Sequence, residues 1–99
     1  MARFDVYRRR EGDGYLLDCQ ADILNILNTR FVVPLLPPDE APLAGARLNP
    51  SFSVEEAPVV MYTQFAASVP AKELGDHVCS LSNEHSAIMN ALDMLLTGY

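Results

Sequence analysis

Apolar and polar positions alternate along the first two dozen residues. Over residues 3–10 the alternation is loose, with Phe4 and Val6 on one face and Asp5 and Tyr7 on the other. Gly12-Asp13-Gly14 then reads as a turn, because glycine accepts positive φ. Beyond it Tyr15, Leu17, Cys19, Ala21 and Ile23 alternate with Leu16, Asp18, Gln20 and Asp22. A strict period of two predicts a strand, and the two segments around the turn predict a β-hairpin. Phe31 to Leu36 is β-branched and apolar, a further strand in which Pro34 marks an edge position or a strand end. Residues 37–53, with Pro37, Pro38, Pro42, Pro50 and Gly45, read as a long connection or a small irregular hairpin. Val59 to Phe65 is another strand, and Val69-Pro70 opens a turn region ending near Gly75-Asp76. The period then changes. Ile88, Leu92, Leu95 and Leu96 fall at i, i+4, i+7 and i+8, one stripe of an α-helix. Ser82 is placed as its N-cap, Glu84 near the positive end of its dipole, and Gly98 as its C′ glycine.

Strands first and one helix last predict a single domain over residues 1–99. It is mainly β, a small antiparallel barrel-type sheet with a C-terminal helix. At 99 residues and 49% hydrophobic, the chain suits a packed core. It also leaves apolar surface over, and a homo-oligomer is expected. The net charge of −6 opposes the balance that phosphate neutralisation needs, so direct nucleic-acid binding is disfavoured. Arg8-Arg9-Arg10 is the only basic cluster and reads as a solvated strand edge. The N-terminus lacks the apolar stretch of a signal peptide, and no window suits a membrane span. A cytoplasmic protein is expected, with Cys19 and Cys79 as ordinary thiols.

The search for chemistry yields little. His77, read as lying in the turn before Cys79, and His85, in the first helical turn, have no His or Cys at metal-ligand spacing. A Cys79–His85 dyad has no third orienting group. The carboxylate pairs Asp39-Glu40 and Glu55-Glu56 read as solvated charges that point apart. No phosphate loop, nucleophile elbow or zinc spacing occurs. The residues therefore predict a binding protein without catalytic residues, metal or cofactor.

Certain stretches nevertheless resemble a known family. "FDVYRRR" at 4–10, "YLLDCQADIL" at 15–24, "RFVVPL" at 30–35, "ASVPAKELGDHVCSLSNE" at 67–84 and a final helix ending in X-Gly-X are similar to the CcdB toxins. The similarity spans nearly the whole chain and is poor over 37–58. It implies an SH3-like, CcdB/MazF-like barrel with a long C-terminal helix, in a homodimer. It also implies the toxin half of a toxin–antitoxin pair, associated with plasmid maintenance. Such a toxin is not an enzyme: it binds the DNA gyrase A subunit and traps the gyrase–DNA cleavage complex. A cognate antitoxin with a disordered C-terminal segment removes it. The family's gyrase-contacting tip falls here on Leu96, Thr97, Gly98 and Tyr99. The antitoxin surface falls on Ile23, Leu24, Asp93 and Leu96. Thr97 stands where the family carries Trp, a strong anchor residue. Two alternatives follow: an antitoxin-binding module with altered or lost gyrase poisoning, or an endoribonuclease toxin on the same fold.

Overall fold

The computed structural model describes residues 1–38 and 45–98. Among these residues seven strands form one antiparallel sheet: β1 (Asp5–Arg9), β2 (Tyr15–Asp18), β3 (Thr29–Leu36), β4 (Ser51–Val54), β5 (Ala57–Met61), β6 (Ala67–Pro70) and β7 (Leu74–Ser80). They run in the order β4-β5-β3-β2-β1-β7, with β6 paired to β3 beside β5. An α-helix, α1 (His85–Thr97), follows. This is the mainly β, half-barrel architecture that the alternating pattern predicted. Val6, Leu17, Val33, Leu35, Met61, Ile88 and Ala91 meet in the main core. A smaller cluster of Tyr7, Leu16, Val32 and Leu74 sits apart from it. Phe4 and Val6 enter the main core and Tyr7 the other, as the alternation requires.

The sheet curls far enough for side chains to meet across it. Glu55, in the two-residue turn between β4 and β5, accepts from Arg8 Nη2 at 2.7 Å and from the Tyr15 hydroxyl at 2.6 Å. β4 lies three strands from β2 and four from β1 in the sheet order, so only a curled sheet brings these groups together. The Glu55 carboxyl is held below its usual range by the tyrosine hydrogen bond and the Arg8 charge. Both turn residues have positive φ, 53° at Glu55 and 65° at Glu56. That is the backbone of a type I′ hairpin turn, usually supplied by Asn-Gly, and side-chained residues hold it at a cost of about 1–2 kcal/mol each. Glu55 is thus a clasp rather than a free surface charge, a correction to the reading from sequence. The Asp39-Glu40 pair lies outside the described residues.

Several other expectations are corrected. The strand from Tyr15 ends at Asp18 instead of running to Ile23, and Asp22–Leu24 form a turn of 3-10 helix. The cause is a buried polar network. Arg30 Nε donates to Asp18 Oδ2 at 3.0 Å and Nη2 donates to the same oxygen, with both side chains essentially inaccessible to solvent. Asp18 Oδ1 accepts the Gln20 N–H at 3.1 Å. Gln20 Nε2 donates to the Leu24 carbonyl at 3.0 Å, and Gln20 Oε1 accepts the Phe31 N–H at 2.9 Å. The polar alternates of the strand pattern have turned inward and bent the chain back on itself.

Pro34 sits within β3, not at an end. β6 pairs Thr29–Val32 and β5 pairs Leu35–Leu36, so Pro34 falls in the gap between two partners, where a missing N–H breaks no ladder. Part of the 37–53 stretch is strand, Ser51–Val54. The Val59–Phe65 strand ends at Met61, and Thr63–Phe65 is 3-10. The turn expected over 69–76 is instead the end of β6, a 3-10 turn and the start of β7, which places His77 and Cys79 in a strand. Gly75 is not a turn residue: a Cβ there would lie 2.8 Å from the Arg8 carbonyl oxygen, so glycine permits close strand approach. β1 is no edge, lying between β2 and β7. Arg8 serves the clasp, and Arg10 Nε and Nη2 donate to the Lys72 and Leu74 carbonyls at 2.6 and 3.1 Å. Ser82 does not cap α1; Ser82–Glu84 form a 3-10 turn, and no side chain caps the helix start.

Two stability predictions follow from this packing. Gly75→Ala must separate β7 from β1 and is expected to cost about 1–3 kcal/mol, a fall of roughly 5–15 °C in Tm by circular dichroism. Arg30→Met leaves Asp18 buried and unpaired, at a cost of about 3–5 kcal/mol, whereas Arg30→Met with Asp18→Leu should recover most of that loss in denaturant titration.

Candidate functional site

The bend that ends β2 creates an unusual surface. Every residue from Ala21 to Thr29 is exposed. Within this span Ile23 and Ile26 are 86% and 89% exposed, and Leu24 and Leu27 are 45% each. Four large aliphatic side chains in five positions form an apolar ridge, in a segment with no polar alternative for burial. The ridge is gripped from beneath by the network already described. Arg30 Nη1 adds a hydrogen bond to Asn25 Oδ1 at 2.7 Å. Its backbone is thereby fixed even though its side chains meet solvent.

The ridge lies beside α1. The Arg3 N–H donates to Asp22 Oδ1 at 2.8 Å, and Arg3 Nη2 reaches the Met89 sulfur at 2.9 Å. The Arg3 guanidinium also lies over the Phe4 ring, 4.7 Å from its centroid. Phe4 itself has φ of 70°, a strained value for a side-chained residue, and its ring meets His85 edge-on at 5.4 Å. Met89, Asp93 and Leu96 fall at i, i+4 and i+7, so one helix flank continues from this junction to the tip. Arg3 therefore ties the turn that holds Ile23 and Leu24 to Met89, one helical turn before Asp93 on the same flank of α1.

The tip departs from the expected apolar stripe. Ile88, Ala91 and Leu92 are buried, but Met94 and Leu95 are 39% exposed and Leu96 is 73% exposed. The stripe covers the core only along its first half; its second half has outrun the barrel. Gly98 ends the helix as expected, with φ of 80° and its N–H donated to the Met94 carbonyl at 3.0 Å. The Thr97 hydroxyl donates to the Asp93 carbonyl at 2.7 Å and is folded onto its own helix. Tyr99 lies outside the described residues.

A cleft of about 430 Å³ was not foreseen from sequence. Leu16, Val32, Pro34 and Val69 line it, and charges of both signs, Arg9 and Glu73 among them, stand around it. Phe65, half-exposed, lines it too and stacks on Tyr62 at 5.9 Å. Its lining residues come from segments brought together by strand pairing.

Nucleophilic chemistry finds no support among the described residues. Burial pushes the Cys19 thiol up to about 12 and also raises Cys79, so neither carries an accessible thiolate near neutral pH. Tyr7 is raised to about 12, chiefly by desolvation and then by Asp5. His77 Nε2, on an exposed ring, lies 3.4 Å from Oδ1 of the largely covered Asp5. No group of three or more potential ligands could hold a metal among the described residues, and no helix there is long and apolar enough to cross a membrane.

Solved structures with a similar fold include toxins and endoribonucleases of mycobacteria. An endoribonuclease from mycobacterial species, determined with its cognate antitoxin, superposes with a TM-score of 0.78 at 17% identity, covering 97% of this chain and 94% of that one. The Mycobacterium tuberculosis toxin MazF-mt6 gives a TM-score of 0.74 at 14% identity, covering 90% and 92%. At such identities the likeness speaks for the barrel and its helix. The family model of the CcdB protein matches residues 3–98, which takes in the ridge, the helix and nearly all of the tip. The chain belongs to the CcdB family, toxins of toxin–antitoxin systems.

Proposed function

We propose that this toxin acts by binding the DNA gyrase A subunit through its helix tip and holding gyrase on cleaved DNA. The observation that carries the reading is the second half of α1. Met94, Leu95 and Leu96 leave apolar surface open to solvent at the end of the helix, Leu96 most of all at 73% exposed. A helix extended beyond its own core is available to a partner. Leu96, Thr97, Gly98 and Tyr99 would form the contact. The Thr97 side chain, hydrogen-bonded back to Asp93, offers no aromatic anchor. Positive φ at Gly98 redirects the chain, which supports Tyr99 in that role.

The cognate antitoxin is read as docking on Ile23, Leu24, Asp93 and Leu96, a surface that overlaps the tip at Leu96. Shared use of Leu96 would make antitoxin and gyrase compete. The apolar area left on the ridge and tip also supports a homodimer, which sedimentation at micromolar concentration checks; a monomer alone would contradict it.

A second reading, an endoribonuclease, is favoured by the structural neighbours that carry that activity. Charges of opposite sign around the cleft and the net charge of −6 count against an RNA groove. Purified protein incubated with RNA separates the two: sequence-specific cutting would overturn the non-enzymatic reading.

With purified gyrase, wild-type protein should accumulate the cleaved-DNA complex. Tyr99→Ala should leave Tm unchanged and weaken gyrase binding by about 2 kcal/mol in titration calorimetry. Thr97→Trp should tighten it. Equal affinity for wild type and Tyr99→Ala rejects the tyrosine's role. Leu24→Glu places a charge in the antitoxin contact and should weaken antitoxin binding at least tenfold; unchanged binding would place that surface elsewhere.

A further inference from the structure

The ridge presents a physical difficulty. Four aliphatic side chains stand in water on a nine-residue exposed segment, where hydrophobic collapse should favour folding them back. Three side-chain hydrogen bonds oppose that. Arg30 Nη1 holds Asn25, Gln20 Nε2 holds the Leu24 carbonyl, and the Asp22 carboxylate holds the Arg3 N–H. Two of these bonds come from side chains that are themselves buried: Arg30 is 1% exposed and Gln20 is 8% exposed.

Arg30 is more elaborate than the core requires. Its Nε and Nη2 already pair with Asp18, which satisfies the buried carboxylate oxygen facing it. The third bond, to Asn25, leaves the core and reaches the exposed turn. Asn25 caps the 3-10 turn with φ of −60° and ψ of −18°, a conformation that any residue adopts. Its backbone N–H already donates to the Asp22 carbonyl. Nothing in the local backbone therefore calls for asparagine; its side chain serves the contact with Arg30.

From this geometry we infer that Arg30 and Asn25 are positioning residues that preset the ridge for partner binding, so that the Asn25 side chain sets affinity while contributing little to folding. The inference rests on the reading of Ile23 and Leu24 as the antitoxin surface. A preset segment binds with the affinity of its competent form; if only a tenth of molecules are competent, apparent affinity falls tenfold. Arg30 supplies rigidity from the core, and Asn25 transmits it to the four side chains that meet the partner.

The test compares wild type, Asn25→Ala, Asn25→Asp and Leu24→Glu. Each is measured by hydrogen exchange alone and by titration with a synthetic peptide of the C-terminal half of the co-encoded antitoxin. In Asn25→Ala, amides of residues 22–28 should exchange about tenfold faster, those of β2 and β3 should not change, and peptide affinity should fall about tenfold. Asn25→Asp keeps an oxygen for Arg30 Nη1 and should restore both quantities, a rescue that a purely structural role would not produce. Faster exchange with unchanged affinity, or unchanged exchange in Asn25→Ala, overturns the inference while leaving the toxin reading intact. If wild type binds the peptide no better than Leu24→Glu, the assigned surface is wrong, and the role of Arg30 in recognition falls with it.

Discussion

The buried pair of Arg30 and Asp18 is the constraint on which the architecture turns. Removing two charges from water is expensive, and such a pair is tolerated only where geometry is good and the remaining hydrogen-bonding capacity is filled. Here Asp18 accepts two guanidinium bonds and a backbone N–H. Asp18 ends β2 and Arg30 lies in β3, so the pair locks two central strands in register. It also fixes the point where the chain leaves the sheet. The exposed ridge, its neighbour Arg3 and the helix flank beyond are all placed relative to that point.

Elsewhere the fold holds strained backbone by surrounding contacts. In the β4–β5 turn, where Glu55 and Glu56 have positive φ, Arg8 and Tyr15 hold the Glu55 carboxylate across the curled sheet. Phe4 keeps its positive φ between two backbone hydrogen bonds, its N–H to Asp18 and its carbonyl from Leu81. Each strained residue lies where distant strands are tied together. Strain of this kind persists only when the neighbours determine it. The clasp is solvent-exposed and screened by salt, whereas the Arg30 network is not.

The periodicities made the strand-then-helix order legible, together with the first hairpin and the helix-ending glycine. They follow from burial of one face, which alternation records directly. What they missed was decided by contacts remote in sequence. Asp18 and Gln20 look like solvent-facing alternates until Arg30, on another strand, is known to need them. Gly75 looks like a turn until Arg8 is placed against it. The surface at Ile23 and Leu24 came from family resemblance, since its residues match a strand's pattern better than a ridge. Leu95 and Leu96 fit the core stripe by period, and only the length of the barrel shows that the helix outruns it. The cleft had no local signal, because its walls come from four separate segments.

Ridge and tip each leave large aliphatic side chains exposed, and the buried Arg30 and Gln20 side chains anchor the ridge. The most direct test is hydrogen exchange of the chain in complex with the gyrase A subunit. Protection should appear at residues 94–98, with β4, β5 and the cleft unchanged. Protection confined to the cleft or to the β4–β5 hairpin, with the tip exchanging as in the free protein, would contradict it.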